Sequence, residues 1–290
     1  MNYSKFGIFL ENEDLSRYSG FKTGGRAEYL FIPNSSADLI SFLKLNRFDK
    51  INVIGCGYNT LIRDGITSGV TIVTKNISNI EFFEDSIKVG CGLLNSALFN
   101  FTKKHGIGGF EFLGCIPGTI GGACIMNAGC YGTEIKDIIK FIEAIDFSGN
   151  LIRLDRDNCG FSYRSSSIPK DLILLNVTFD TSNKLDADTI DNRFKAMLEK
   201  KTSSQPIAEK TCGSTFKNLD GIPAWKVIQD MGFQGIDFGG VKFSEKHANF
   251  LVNFNNSSSK KIEEVIKNTQ KKAKELFNID LELEIKILGE

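Results

Sequence analysis

A glycine-rich turn at residues 55–60 (Gly-Cys-Gly-Tyr-Asn-Thr) follows a predicted strand and is one place where this sequence could bind a ligand. Glycines in such a turn let backbone N–H groups approach an anion closely, and Asn59 and Thr60 add side-chain donors. The turn lacks the third glycine and the immediate helix of a dinucleotide-binding fingerprint, and the sequence has no Gly-Lys-Ser/Thr phosphate loop. The pattern favours an anion-binding turn, and an ordinary tight turn is the alternative.

A second glycine-rich stretch, residues 114–132, is apolar and nearly uncharged. An exposed loop of this length would be polar, so we expect the stretch to be buried against a flat or narrow surface. Its backbone polar groups must then be paired locally or with a ligand. Close packing of a helix on a sheet is the alternative interpretation.

The elements that must position the first turn form a small βαβ unit. A predicted strand at residues 29–33 ends at Pro33, and Ser35 or Ser36 is expected to cap the helix that follows. A second strand at residues 51–54 leads directly into the turn. Such a unit favours parallel pairing of strands.

The rest of the chain mixes strands and helices, with residues 203–206 as a predicted linker. In the last strand the apolar residues alternate, which places Glu282, Glu284 and Lys286 together on the opposite face. The predicted elements are a strand at 87–89, a helix through 98–101, a hairpin around Ile142 and Ile152 with its turn at 148–150, a strand at 172–177, helices at 190–200 and 224–231, strands near Val241 and Phe250, an amphipathic helix over 262–276 and a strand at 281–287.

The composition is that of an ordinary globular protein, with 41% hydrophobic and 24% charged residues among 290. Lys plus Arg and Asp plus Glu both number 35, so no net charge draws the chain to nucleic acid or to a membrane surface. The first residues contain no apolar leader, and no apolar run approaches the roughly 18 residues of a membrane span. We therefore expect a cytoplasmic monomer that binds neither nucleic acid nor a membrane.

The seven cysteines are an odd number and contain no C-x-x-C pair. This pattern predicts reduced, mostly buried thiols. Only His105 and His247 could add imidazole ligands, so no metal site is expected.

Several motifs, in one order along nearly the whole chain, resemble those of the UDP-N-acetylenolpyruvoylglucosamine reductases. These enzymes are flavoproteins of peptidoglycan synthesis. The matching segments are residues 21–27 (FKTGGRA), 55–59 (GCGYN), 110–112 (FEF), 116–123 (IPGTIGGA), 127–129 (NAG), 163–166 (YRSS), 213–218 (GSTFKN), 246–250 (KHANF) and 284–289 (EIKILG).

The resemblance implies an α+β fold with a two-lobed FAD-binding module of the vanillyl-alcohol-oxidase (PCMH-like) type and a smaller α/β substrate-binding domain. Differences in sequence pattern divide the chain into three regions, 1–77, 78–202 and 203–290, which match the two FAD-binding lobes and the substrate domain, with the C-terminal strand returning to the active site. The resemblance further implies reduction of UDP-N-acetylglucosamine enolpyruvate by NADPH through non-covalent FAD.

The resemblance also implies roles for single residues. Arg164, Ser214 and Glu284 would be catalytic. Tyr163, Lys217, Asn218 and His247 match positions that meet the substrate. The positions expected to contact FAD are Gly55, Cys56, Gly57, Tyr58, Asn59, Thr60, Ile116, Pro117, Gly118, Thr119, Gly121, Gly122, Ile125 and Gly129.

The chain departs from the family pattern at two positions. Tyr58 stands where the family usually has serine, which puts one side-chain contact to the FAD diphosphate in doubt. Leu219 replaces the usual proline after Lys-Asn. The short interval between Arg164 and Ser214 resembles the subgroup that lacks an extra substrate-covering loop.

The implied reaction adds hydride to the outer carbon of an enolpyruvyl ether, and negative charge then spreads into the neighbouring carboxylate. Arg164 suits this carboxylate because a guanidinium stays charged and can bind it through two N–H groups. Glu284 would be a protonated acid near the developing charge, with Glu282 as the fallback. Ser214 would donate the proton to carbon, although a turn serine is more often a local cap.

Two other functions remain open on the sequence. A flavin oxidase of small alcohols or hydroxy acids often tethers its flavin through histidine, and neither glycine-rich stretch contains one. A non-catalytic nucleotide-binding protein would not need Arg164, Ser214 and Glu284 together. The presence of a yellow chromophore separates these interpretations.

Overall fold

The computed structural model describes residues 3–45 and 48–290, which form helices and mixed sheets. The strands are β1 (Gly7–Asp14), β2 (Arg26–Pro33), β3 (Ile51–Ile54), β4 (Thr60–Ile62), β5 (Ile66–Val73), β6 (Ile80–Phe82), β7 (Ser86–Gly90), β8 (Gly129–Cys130), β9 (Thr133–Glu134), β10 (Ile139–Asp146), β11 (Leu151–Asp155), β12 (Leu172–Asp180), β13 (Val241–Phe243), β14 (Leu251–Asn253) and β15 (Lys286–Leu288). The α-helices are α1 (Ser36–Leu45), α2 (Asn95–Lys104), α3 (Glu111–Cys115), α4 (Ile120–Ile125), α5 (Ala187–Ser204), α6 (Ala224–Asp230) and α7 (Ser259–Phe277).

The predicted first strand, helix and second strand are β2, α1 and β3, and the local chemistry explains the helix start. The Ser35 hydroxyl accepts a hydrogen bond from the backbone N–H of Asp38 at 3.1 Å, which makes Ser35 the cap. The sheet order β1-β2-β5-β3 places β5 between the two strands of the unit. The parallel pair is therefore β3 with β5, with Ile51 opposite Val70.

A five-stranded sheet has the order β11-β10-β12-β7-β6. The predicted hairpin is confirmed as β10 paired antiparallel with β11. Its turn is closed by Asp146, whose carboxylate accepts hydrogen bonds from the backbone N–H groups of Ser148 and Asn150 at 2.9 and 2.8 Å. The strand predicted at 172–177 is the buried centre of this sheet, β12.

The chain forms two compact units with separate cores. Unit 1 comprises Met1–Glu11, Tyr29–Cys56 and Gly69–Lys200, and unit 2 comprises Asn12–Glu28, Gly57–Ser68 and Lys201–Glu290. The core of unit 1 includes Phe31, Phe42, Phe112 and Phe179. The core of unit 2 includes Phe216, Phe243 and the buried side of α7, with Ile262, Val265 and Ile266.

The two units are defined by contacts within the structure. The predicted lobes at 1–77 and 78–202 and the predicted substrate domain at 203–290 follow the sequence and the expected ligands, so they stay a prediction. Residues 1, 2, 46 and 47 of the first lobe lie outside the described residues. The predicted linker was wrong at Ser203 and Ser204, which are the last residues of α5. The backbone bond from Gln205 N–H to the Lys201 carbonyl shows that the helical pairing continues to that point.

The last strand is shorter than predicted. Only Lys286–Leu288 pairs as a strand, parallel to β4 in unit 2, and Leu283 makes a single bridge to Phe216. The predicted alternation is present only in part: Leu281 and Ile285 are buried and Glu282 and Lys286 are exposed, but Leu283, Glu284 and Ile287 are all half-buried.

No disulfide joins the described cysteines, and five of the seven are buried, as the sequence predicts. Burial raises the pKa of the Cys91 thiol to about 12, which keeps it protonated at neutral pH. Over residues 3–45 and 48–290 no helix has the length and apolarity needed to span a membrane. The same part of the chain holds no cluster of three potential metal-ligating side chains.

Candidate active site

The two glycine-rich stretches meet within unit 1. A Cβ atom placed on Gly55 would lie 2.4 Å from the Thr119 hydroxyl oxygen, so only glycine allows this approach. Thr119 caps α4, where its hydroxyl accepts from the backbone N–H of Gly122 at 3.4 Å. Cys56 lies beside this contact and is half-buried.

The second half of the turn belongs to unit 2 and also requires glycine. Gly57 has φ +66°, and a Cβ there would lie 1.7 Å from the Tyr18 carbonyl oxygen. The Gly57 carbonyl accepts hydrogen bonds from the backbone N–H groups of Gly20 and Thr60. Tyr58 is exposed at the tip of the turn, where the family usually has serine.

Asn59 ties this turn to the C-terminal segment of unit 2. Its amide Nδ2 donates to the Glu284 carbonyl oxygen at 3.2 Å, and its own carbonyl accepts from the Lys286 N–H at 2.9 Å. Asn59 therefore fixes the backbone that carries Glu284, in addition to any contact with a cofactor.

The apolar stretch contributes to α3 and α4 and is only partly buried, since seven of its 19 residues are buried and five are exposed. Asn95 supports it, because its backbone N–H donates to the Gly118 carbonyl at 3.0 Å and its amide Nδ2 donates to the Ile116 carbonyl at 3.1 Å. The other amide atom, Oδ1, is buried without a hydrogen-bond partner among the described residues. Gly121 packs on Cys91, since a Cβ placed on this glycine would lie 3.1 Å from the Cys91 Cβ.

Several predicted cofactor positions on this stretch are open to solvent. Pro117, Gly122 and Ile125 are at least partly exposed, and Gly118 has φ +122° with no atom closer than 3.9 Å to a Cβ position. These features form an open surface lined by glycine, with the buried Asn95 oxygen behind it. Such a surface fits the diphosphate and ring edges of FAD.

Arg164 of unit 1 stands in a two-residue turn and adopts the left-handed conformation, with φ +51°. Ser162 and Ser165 close this turn through two backbone hydrogen bonds. The Arg164 Nη2 donates to the Gly129 carbonyl at 2.7 Å, and its guanidinium lies 5.1 Å from the centre of the exposed Tyr163 ring. The structure thus brings together three predicted site residues: Arg164, Tyr163 and Gly129.

Glu134 faces the same guanidinium and was not expected from the sequence. Its Oε1 lies 3.7 Å from the Arg164 Nη1, and its Oε2 accepts from the Asn127 amide at 2.9 Å. A cavity of about 420 Å³ is lined by residues 129–134 together with Lys136, Asp137, Tyr163 and Arg164. One sequence feature could have indicated Glu134, since it is the first charged residue after the uncharged stretch 114–132.

Ser214 and Glu284 lie on neighbouring extended segments of unit 2, and a third segment contains Phe250. The Glu284 N–H donates to the Thr215 carbonyl at 2.9 Å, and Phe216 bridges Leu283. On the other side Ser214 bridges Phe250. Ser214 and Glu284 are both partly exposed on these segments.

Lys217 and Asn218 continue from Ser214 along the same segment. The Lys217 ammonium lies 2.6 Å from the Glu282 carboxylate, and the lysine side chain is mostly buried while Glu282 is exposed. The Asn218 side-chain oxygen accepts from the Ala224 N–H at 3.0 Å, at the start of α6. Asn218 therefore fixes a helix start as well as being a predicted substrate contact.

His247 is held by the loop that precedes β14. Its Nδ1 accepts a hydrogen bond from the Asn249 backbone N–H at 3.3 Å, so the proton of the neutral ring belongs on Nε2. Burial lowers the pKa of His247, which favours the neutral ring. Asn249 also bonds both backbone groups of Phe216, at 3.0 and 2.7 Å, and the sequence did not single it out for this role.

Comparison with known proteins shows the family to which the chain is similar. The family described as UDP-N-acetylenolpyruvoylglucosamine reductase, C-terminal domain, matches residues 205–288, and an FAD binding domain family matches residues 27–155. The chain is similar to the UDP-N-acetylenolpyruvoylglucosamine reductase of Rickettsia felis, with 43% identity over 98% of this chain and 96% of that protein. The enzyme of the same name from Rickettsia rickettsii gives the same identity and coverage.

A solved structure gives the same result for the fold. The UDP-N-acetylenolpyruvylglucosamine reductase of Thermus caldophilus superposes with a TM-score of 0.84 at 26% identity, covering 97% of this chain and 98% of that chain. The predicted α+β fold with an FAD-binding module is confirmed by this likeness and by the FAD binding domain match.

Proposed function

Because the chain belongs to the UDP-N-acetylenolpyruvoylglucosamine reductase family, it is an FAD-dependent oxidoreductase, and we propose that Arg164, Ser214 and Glu284 carry out its reaction. The reaction reduces UDP-N-acetylglucosamine enolpyruvate to UDP-N-acetylmuramate with NADPH, in peptidoglycan synthesis. The observation that carries the roles of Ser214 and Glu284 is the hydrogen bond from the Glu284 N–H to the carbonyl of Thr215, the residue after Ser214. Cytoplasmic location and a monomeric state stay predictions.

The residues proposed to hold FAD are those of the turn 55–60 and of the stretch 116–129. Gly118 has open space at its Cβ position, whereas Gly55 and Gly57 let the turn pack closely on Thr119 and Tyr18. The buried Asn95 oxygen offers an acceptor behind the second stretch. Bound FAD supplies the hydride-transfer chemistry, which no amino-acid side chain provides.

Arg164 is proposed to bind the carboxylate of the enolpyruvyl group. Hydride addition to the outer carbon places negative charge on the carbon beside that carboxylate, and the charge spreads into the carboxylate oxygens. A guanidinium stabilises this charge because it stays protonated and presents several N–H donors in one plane. Tyr163, beside Arg164, is a proposed substrate contact.

Ser214 is proposed to give its hydroxyl proton to the carbon next to the carboxylate, which completes the reduction. Glu284 is proposed to act as the protonated acid that hydrogen-bonds the developing charge. Lys217, Asn218 and His247 are proposed substrate contacts, and a neutral His247 donates from Nε2. The lowered pKa of His247 supports this last role.

The substitution Ser214→Ala tests the assignment by separating two half-reactions. Reduction of FAD by NADPH needs no proton from Ser214, so anaerobic NADPH should bleach the variant's flavin at a near-normal rate. Reoxidation by UDP-N-acetylglucosamine enolpyruvate should be roughly 10²–10⁴-fold slower, as expected when a general acid is lost. Stopped-flow absorbance of the flavin measures both rates.

The matched control is Ser148→Ala, in the β10–β11 turn, which should leave both rates unchanged. Normal reoxidation in Ser214→Ala would show that Ser214 is not the proton donor. Solvent or another side chain would then hold that role, and Ser214 would be a local turn residue.

A further inference from the structure

Glu134 makes an ionic contact to Arg164 inside the cavity. The two side chains are each about four-fifths buried, with 21% of each exposed, and 3.7 Å separates Nη1 from Oε1. The second guanidinium nitrogen, Nη2, donates to the Gly129 carbonyl at 2.7 Å. A hydrogen bond on Nη2 and an ionic contact on Nη1 favour one orientation of the guanidinium as well as one position.

Glu134 is itself fixed by several neighbouring groups. Asn127 is fully buried and donates its amide both to the Glu134 Oε2 at 2.9 Å and to the Ser162 carbonyl at 3.0 Å. The Lys136 ammonium lies 2.9 Å from the same Oε2. The Glu134 backbone N–H is held by the Asp137 carboxylate at 2.8 Å.

The backbone of Arg164 gives a reason for this support. Its left-handed φ of +51° is unfavourable for a residue with a long side chain, and such conformations persist where the surroundings enforce them. Asn127 reaches Ser162, in the turn that carries Arg164, and Glu134, which faces its guanidinium. Asn127 therefore holds both the turn that carries Arg164 and the carboxylate that faces its guanidinium.

We propose that Glu134 is a positioning residue of the reductase, which orients the Arg164 guanidinium for the carboxylate of the enolpyruvyl substrate. The proposal rests on the proposed function of Arg164 and adds a residue that acts through it. A carboxylate at this place also offsets part of the arginine's charge, so it weakens general attraction of anions while it favours one orientation.

The test is Glu134→Gln, which keeps the size of the side chain and an oxygen for Asn127 but removes the charge. We expect flavin reoxidation by UDP-N-acetylglucosamine enolpyruvate to slow by roughly 10–100-fold, as for a misplaced reacting group. KM for that substrate should stay the same or fall, because the net positive charge increases. Flavin reduction by NADPH and the FAD content should stay normal.

The matched control is Glu143→Gln. Glu143 lies in the same unit and is likewise bonded by an asparagine amide, that of Asn176 at 3.1 Å, and by an ammonium, that of Lys88 at 2.6 Å. It lies outside the cavity residues, so its loss should leave both half-reactions within about 2-fold.

The variant Arg164→Lys and the double variant complete the experiment. If Glu134 acts through Arg164, adding Glu134→Gln to Arg164→Lys should slow reoxidation little further, which is a non-additive result. Additive effects, equal slowing of both half-reactions, or loss of FAD in Glu134→Gln would overturn the positioning role.

The remaining outcomes separate this proposal from the function on which it rests. Normal reoxidation in Glu134→Gln, with slow reoxidation in Arg164→Lys, would overturn the positioning role alone. Normal reoxidation in Arg164→Lys and in Arg164→Ala would overturn the catalytic role of Arg164, and the role of Glu134 with it.

Discussion

Arg164 adopts a backbone conformation that its residue type does not predict. A left-handed backbone costs a non-glycine residue about 1–2 kcal/mol, so a sequence pattern would place glycine or asparagine in this turn. Nothing in the segment Ser-Tyr-Arg-Ser indicates φ +51°, and Asn127, which donates to the Ser162 carbonyl of this turn, is distant in sequence. The residue type could be assigned from the sequence, but its conformation and its partner Glu134 could not.

We expect Arg164→Gly and Arg164→Ala to lose substrate reduction to the same extent while differing in stability. Both variants lose the guanidinium, but only glycine relieves the left-handed strain. The glycine variant should therefore have the larger free energy of unfolding, by about 1 kcal/mol. Urea denaturation of both variants measures this difference. An alanine variant as stable as the glycine variant would show that the turn is not strained.

The two glutamates near the C-terminus can be separated by substitution. Glu284 has its backbone fixed by Thr215 and Asn59, whereas Glu282 is exposed and contacts Lys217. Glu284→Gln should lower kcat by roughly 10²-fold or more if it acts as an acid. Glu282→Gln should be mild, and steady-state kinetics compares the two. Equal losses, or a larger loss for Glu282→Gln, would show that the wrong carboxylate was assigned.

Whether a segment forms a helix or a strand is predicted by the sequence better than which strands pair with each other. The alternation in residues 281–287 correctly predicts that Leu281 and Ile285 are buried, but only Lys286–Leu288 pairs as a strand, with Thr60–Ile62. Pairing between segments so far apart in the chain leaves no local mark in either of them. The same reason explains why β5, and not β2, is the parallel neighbour of β3.

Helix α7 is anchored by an ion pair with a predictable pH dependence. Hydrogen bonds from Arg63 at 2.8 and 2.9 Å, with Lys267 nearby, lower the pKa of Glu263 to about 2 from 4.5. A lowered carboxyl pKa means that the stabilisation is complete above pH 4.5 and is lost as the pH falls towards 2.

Glu263→Gln should accordingly lower the free energy of unfolding by about 1–2 kcal/mol at pH 7, since Glu263 is largely buried while Arg63 is more exposed. The difference from the wild type should shrink between pH 4.5 and 2. Denaturation curves at several pH values measure it. The neighbouring Glu264→Gln is the control, because its pair with Lys261 is exposed and long at 3.6 Å. A difference that does not depend on pH would exclude the ion pair as its cause.

At the scale of the whole molecule, two cores are built from interleaved pieces of chain. Unit 2 takes Asn12–Glu28 and Gly57–Ser68 from the first quarter of the sequence and combines them with Lys201–Glu290. Changes of sequence pattern along the chain could not reveal this grouping, because it depends on the pairing of distant strands such as β4 and β15. The glycine turn 55–60 crosses the boundary between Cys56 and Gly57, although along the sequence it is one continuous motif.

FAD should be held without a covalent bond, and its binding should stabilise the fold. The half-buried Cys56, within the turn itself, is the nucleophile that a covalent bond to the flavin would use. Neither glycine-rich stretch contains the histidine that often tethers flavins. Acid precipitation should therefore leave the yellow colour in the supernatant, for the wild type and for Cys56→Ser alike. Free FAD at about 100 times its Kd should add about 2.7 kcal/mol to the free energy of unfolding, because only the folded chain binds it. Thermal unfolding at increasing FAD concentration measures this as a rising Tm. Colour retained in the wild-type pellet but not in that of Cys56→Ser would instead show a thioether bond to the flavin.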